Sequence, residues 1–350
     1  MRRQRALTQA LGAAWCAATG AVGISATTCT AQDAAAPEPQ WVSYAGGEGP
    51  GAGKHIVLIS GDEEYRSEEA LPQLAKILAE RHGFACTVLF ALDPDTGAID
   101  PDQRRNIPGL DQLADADLMV IFTRFRELPD AQMRHIDEYV RSGRPIVGLR
   151  TATHAFAGAP DAGPYARYHW RSAEWPGGFG RQVLGETWVA HHGKHGSEST
   201  RGVVEAAHAD HPILRGVGDV WGPTDVYRVR DLPDDTTVLL RGAVLDGMER
   251  ESAPVPDDRN DPMMPLAWVR ARPVDDREQA QRVFATTMGA ATDLSCDALR
   301  RLLVNACYWC VELEAAIDAE SDMSLVGDYQ PTPFGFGGFV KGVRPAAHVR

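Results

Sequence analysis

Short apolar runs and amphipathic stretches alternate along the first half of the chain. His55–Ser60 (H-I-V-L-I-S), Ala85–Phe90, Leu118–Thr123 and Pro145–Leu149 are five- or six-residue blocks without an alternating polar face. That length and pattern predict strands buried on both sides. Between them, Glu68–His82 places Leu71, Leu74, Ile77 and Leu78 on one helical face, with Gly83 as its stop. Pro129–Ser142 does the same with Met133, Ile136 and Val140, opened by proline and closed by Gly143. Strands separated by single helices predict an α/β fold on a doubly wound, mostly parallel sheet.

After residue 155 the rhythm breaks. Gly158–Gly180 is rich in glycine, proline and aromatics and reads as an insertion. Further strands are predicted at Val203–Ala206, Val226–Val229, Val238–Leu240, Leu266–Val269 and Val283–Thr287, with a closing helix over Cys296–Glu312. The predicted organisation is 1–31 as a signal peptide, 32–53 as a linker, 54–315 as the domain and 316–350 as a C-terminal tail.

The signal reading rests on Arg2, Arg3 and Arg5 ahead of a small and apolar run, with Cys29 and Ala31 flanking the expected cleavage point. Loss of those three arginines takes the formal charge from −13 to a more acidic −16. An acidic surface argues against nucleic acid and anionic membranes as partners. The expectation is an exported, periplasmic or secreted protein that takes a small molecule or a glycan. Cys86, Cys296, Cys307 and Cys310 fall in apolar or helical patterns and read as small buried hydrophobes.

Candidate chemistry gathers where strands end, because ligands of open α/β sheets collect past the carboxyl edge. Gly148–Ala152 has the outline of a nucleophile elbow, yet Arg150 holds the nucleophile's place. Arginine has no lone pair to attack with, which excludes an amidotransferase or a serine hydrolase at this turn. Arg150, Thr151 and His154 leave one strand end; Asp62, Glu63 and Glu64 leave another; Arg124 and Arg126 leave a third. His191, His192 and His195 form the densest imidazole cluster. Adjacent histidines point apart in extended chain, so at most two of the three can share a metal, and His191 and His195 are those two. Trp170, Trp175 and Trp188 read as the insertion's own core or as a sugar platform, and His208 and His211 as a capped turn. Phe334, Phe336 and Phe339 read as a tail packed along the domain.

Several of these segments together resemble the ThuA-like, trehalose-utilisation family, in the manner of a secreted subgroup. They are Ser60–Tyr65 (S-G-D-E-E-Y), Tyr139–Gly143 with Gly148–Thr151, Gly185–His192, His211–Gly216 (H-P-I-L-R-G), Asp225–Tyr227 and Arg282–Gly289. The resemblance implies a class I glutamine amidotransferase-like fold and a sugar substrate. The chain departs from the family pattern in having Arg150 at the elbow histidine, Asp225-Val226-Tyr227 at the Asp-Glu-x-Tyr motif and Ala290 at the histidine after the last strand. The leading expectation is acid–base chemistry on a sugar or oxidised sugar. It makes His154 or His192 the acid or base, with Glu64 or Asp225 as partner. Arg150, Thr151, Arg124, Arg126, Asp62, Glu63, His191 and Tyr227 would bind substrate, without a cofactor. Two readings stand behind it: a glycan-binding module without turnover, and a metal-dependent hydrolase holding a divalent ion.

Overall fold

A computed structural model describes residues 38–157, 163–275 and 277–349. The expected signal peptide lies outside the described residues. Ten strands form one mixed sheet in the order β1-β3-β2-β4-β5-β10-β9-β8-β6-β7. Its centre is parallel: β3 (Ala85–Phe90), β2 (His55–Gly61), β4 (Leu118–Thr123), β5 (Ile146–Leu149) and β10 (Gln281–Thr286). The apolar blocks read from the sequence supply four of these five strands.

Beyond β10 the sheet turns antiparallel through β9 (Met264–Arg272), β8 (Thr236–Leu245), β6 (Ser199–Val204) and the two-residue β7 (Trp221–Gly222). The expected mostly parallel sheet is thus a mixed one, parallel through its centre and antiparallel toward β7. The sequence here lacks crossover helices, and without them neighbouring strands pair as hairpins. Val226–Val229 is not a strand; its ladder reduces to one bridge between Tyr227 and His191. The stretch expected as a linker contains β1 (Trp41–Tyr44), which pairs antiparallel with β3.

Successive side chains of the central strands point to opposite faces. Ile56, Leu58, Val120, Phe122, Val147 and Phe284 pack with α1 (Ser67–His82) and α3 (Asp297–Cys310). Val57, Ile59, Met119, Ile121, Ile146 and Val283 pack with α2 (Asp130–Arg141), with Tyr168 and Phe179 of the insertion and with Val183 just after it. Cys86, Cys296, Cys307 and Cys310 are free and buried, as their apolar settings predicted. Among the described residues no helix is long and apolar enough to cross a membrane.

Candidate functional site

The loops after β2, β4 and β5 converge, as parallel strands require. After Gly61 the chain makes a tight turn capped by Asp62, whose Oδ1 accepts from the amides of Glu64 (2.7 Å) and Tyr65 (2.5 Å). Its Oδ2 accepts from the Thr151 hydroxyl, which ties this turn to the β5 elbow. Asp62 and Thr151 are buried and spent on each other, so they position the loops instead of touching a ligand.

Glu63 meets a similar fate. Its Oε1 accepts from Arg124 Nη1 at 2.5 Å and its Oε2 from Arg126 Nη2 at 2.5 Å. Arg126 is fully buried and also donates to the carbonyls of Arg124, Pro101 and Gln103. Neither Glu63 nor Arg126 is left for substrate. Arg124 stays at the surface of the cluster, its Nε 3.3 Å from Glu64 Oε2.

At the elbow, Arg150 carries φ +41, a left-handed backbone uncommon for a side chain of this size. The turn drives its guanidinium inward, where it is fully buried. It is sandwiched between the Tyr65 and Tyr227 rings, 4.1 and 4.3 Å from their centroids. Nη1 donates to the carbonyls of Thr287 (2.6 Å) and Asp225 (3.2 Å), and Nη2 to Asp225 Oδ1 (3.1 Å). Arg150 is a buried counter-charge, out of reach of substrate.

Asp225 is the hub. Besides Arg150, its Oδ2 lies 2.6 Å from His191 Nδ1 and its Oδ1 3.1 Å from His195 Nδ1. Burial alone would raise its pKa. The bonds from His191, His195 and Arg150 outweigh burial and hold it well below the usual carboxylate range. The carboxylate is thus an acceptor only, so each facing Nδ1 must carry a hydrogen. Both imidazoles then present Nε2 outward, as acceptors when neutral. Their centroids are 4.9 Å apart, and about a third of each side chain is exposed.

Glu64 completes the set. Its Oε1 lies 3.5 Å from His195 Nε2. Burial raises its pKa, against the opposing pull of Arg124. His195 is raised in turn, chiefly by its bond to Asp225 and further by Glu64. Tyr65 Oη stands 3.5 Å from His195 Nδ1, and Trp188 packs its ring against His191 and Tyr227.

The two histidines favoured from sequence lie elsewhere. His192 turns away from Asp225, its Nε2 meeting the Arg259 carbonyl at 2.8 Å, while its neighbour His191 takes Asp225. His154 is buried among Phe125 and Trp188, and its Nδ1 meets Thr153 Oγ1 at 3.0 Å. Burial, reinforced by Arg124 and Arg150, holds its pKa well below the ordinary value, so it remains a neutral packing residue. His195, read from sequence only as a metal donor, sits between Asp225 and Glu64 at the centre of the cluster. The i, i+4 spacing from His191 across Gly193 was its signal, and only a turn folding back on itself uses it. Lys194 pairs with Glu198 instead of facing the cluster. Trp175 belongs to the insertion's core, whereas Trp188 lines the site.

His191, His195 and Asp225 also each offer one donor atom within 4.8 Å of the others, a set that suits a divalent ion with open positions. A groove of about 1040 Å³ lies at the amino edge of the parallel strands near Arg270 and Arg272, away from this chemistry.

Comparison with known proteins agrees with the motif order. The family model ThuA, "Trehalose utilisation", matches residues 56–310. No curated protein matches. A ThuA-like protein of Bacteroides uniformis is similar at 14% identity and TM-score 0.47, over 76% of this chain and 95% of that one. Another from Parabacteroides merdae is similar at 16% identity and TM-score 0.46, over 81% and 97%. The chain belongs to the ThuA trehalose-utilisation family.

Proposed function

We propose that this chain is an exported, carbohydrate-active protein that moves protons on a sugar or oxidised sugar, with His191 as base and His195 as acid. The family supports a carbohydrate-related role. The observation that carries the chemistry is Asp225, whose two oxygens meet the Nδ1 atoms of both imidazoles. Such a carboxylate fixes tautomer and ring orientation, as an orienting acid does for a catalytic histidine.

In this reading a carbonyl of the sugar lies between the rings. Neutral His191 takes the proton from the carbon beside that carbonyl at Nε2. His195 Nε2–H, held by Glu64, delivers a proton to the carbonyl oxygen, giving an enediol. His191 then gives its proton to the former carbonyl carbon while His195 takes one from the neighbouring hydroxyl, which moves the carbonyl by one carbon and restores both histidines. Arg150 stabilises Asp225 and, through it, the developing imidazolium. The doubly wound, amidotransferase-like form of the fold accompanies this reading, supported by helices on both faces of the parallel centre.

The test is solvent exchange. Wild type incubated in D2O with a panel of ketoses, aldoses and oxidised disaccharides should wash deuterium into the carbon next to the carbonyl, detected by NMR. His191→Asn and His195→Asn should abolish the exchange. Saturable binding of a sugar without exchange, in a folded wild type, gives the site to a glycan-binding module. A second reading is metal-dependent hydrolysis by the His191–His195–Asp225 set, favoured by the proximity of its three donors. Metal analysis of purified protein decides it: stoichiometric zinc or manganese, with activity lost on chelation, replaces the acid–base assignment. Export is tested by the intact mass of the secreted chain, expected to start at or near Gln32.

A further inference from the structure

The tail was expected to pack along the domain, and Pro331–Phe339 does so across the edge of the site. Three sets of bonds hold it there. Glu69 accepts from the amide and hydroxyl of Thr332 at 2.8 and 2.7 Å. Arg66, buried and with φ +59 at the start of α1, donates from Nε to Thr332 Oγ1 at 3.1 Å and from Nη2 to the Gly335 carbonyl at 2.5 Å. The Gly335 amide donates to the Glu64 carbonyl at 2.7 Å. Gly335 has φ +133, a backbone closed to L side chains, and that twist lets one residue offer its amide to Glu64 and its carbonyl to Arg66. The Arg66 side chain and the Glu64 carbonyl, two of the anchors, therefore lie on the Asp62–Arg66 turn, and Glu69 follows in the first turn of α1.

Two aromatic rings flank this anchor. The Phe334 ring centroid lies 5.4 Å from that of His195 and 5.7 Å from that of Tyr65. It packs against the His195 ring, which Tyr65 meets edge-on at 6.1 Å. Phe336 is 64% exposed, and Arg124 lies 5.0 Å from its centroid and 4.7 Å from that of Phe125. An exposed phenylalanine over a cation beside Glu64 has no role in the core. Its open face suits the C–H face of a ring-shaped ligand.

We infer that the C-terminal segment Pro331–Phe339 is a wall of the site, in which Phe334 is a positioning residue for His195 and Phe336 a specificity-determining platform over Arg124. This deepens the carbohydrate reading and rests on it for the ligand; the placement of the rings does not. An imidazole held on two sides by Asp225 and Glu64 still pivots about those bonds, and Phe334 closes the remaining freedom. The segment is required for the site without being part of the sheet.

The test begins without substrate. Full-length protein is labelled with diethyl pyrocarbonate, and His195 modification is followed by peptide mass spectrometry against His208. Phe334→Ala and, independently, Gly335→Ala should each speed His195 labelling at least threefold, and Phe334→Tyr should restore the wild-type rate. Phenylglyoxal should modify Arg124 at least threefold faster in Phe336→Ala, which removes an exposed ring and should leave the fold intact. Wild-type rates at both residues in folded variants overturn the proposal. With any sugar that wild type exchanges, Phe334→Ala should lower kcat with KM little changed, and Phe336→Ala should act on KM; the reverse pattern also overturns the assignment. Failure of the solvent-exchange test leaves the labelling arms intact, so the two readings fail separately.

Discussion

Arg150 and Asp225 form an ion pair with no exposed side-chain surface on either partner, Nη2 to Oδ1 at 3.1 Å. A buried pair gains little over an apolar one, but losing one partner strands the other charge, at ~3–5 kcal/mol. Arg150→Met should therefore destabilise the fold by about that amount, read as a fall in the denaturation midpoint with unchanged slope. A variant as stable as wild type would show that Asp225 does not need this cation. Asp225→Asn keeps the shape but places an NH₂ against one Nδ1–H, so kcat should fall by ~10²-fold or more if the dyads are catalytic.

The adjacent histidines offer a comparison within one loop segment. His191 faces Asp225 and His192 faces the Arg259 carbonyl. His191→Asn should cost ~10²-fold or more in turnover with little change in melting temperature. His192→Asn should keep turnover within about threefold and instead cost stability of ~1 kcal/mol for the lost hydrogen bond. His154→Ala should behave as a core substitution, unfolding earlier by ~1–3 kcal/mol. Equal turnover losses in His191→Asn and His192→Asn would remove the basis for choosing between them.

The sequence exposes the parallel centre because its strands are buried on both faces and need no alternation. It marks β6, β8 and β9 only by short runs at Val203–Ala206, Val238–Leu240 and Leu266–Val269, and leaves the two-residue β7 unmarked, because half-polar strands paired as hairpins dilute the apolar signal. It also exposes the residues of the site better than their duties. Arg150, Thr151, Asp62 and Glu63 stand at strand ends, so topology brings them together, yet whether a side chain turns inward or outward depends on local backbone. The φ of +41 at Arg150 sends its guanidinium under the site. Alternation along 191–192 says that the two rings diverge but not which one meets Asp225. The long-range anchoring of the tail by Arg66 and Glu69 leaves no periodic trace at all.

The pH profile should follow the same geometry. His195 must be protonated to act as the acid, and its pKa is raised above the ordinary 6.5 by Asp225 and then Glu64. Activity supported by the protonated form is present below that raised value and lost as pH climbs through it. The alkaline limb of kcat/KM should thus lie above pH 6.5. Glu64→Gln removes one of the charges that raise His195, so the limb should move to lower pH. A limb that stays in place in Glu64→Gln would separate Glu64 from His195 function.

Glu68, in the first turn of α1, gives a test of stability that is independent of the site chemistry. It is 7% exposed, and neither carboxylate oxygen has a hydrogen-bond partner. Burial pushes its pKa from 4.5 up to about 8, with Glu69 adding to the rise. A carboxyl whose folded pKa exceeds its unfolded one binds a proton more tightly when folded. Its contribution is therefore fully present below about pH 4.5 and is lost as pH rises through about 8. At ~1.4 kcal/mol per pKa unit, the penalty above that window amounts to a few kcal/mol. Glu68→Gln keeps the shape and removes the charge, so it should match wild type near pH 4.5 and exceed it in melting temperature by several degrees at pH 9. Every other titrating group is common to both proteins, so the difference between their pH–stability curves isolates this one side chain. Parallel curves across the range would mean that Glu68 ionises freely in the folded protein and that a donor reaches its carboxylate.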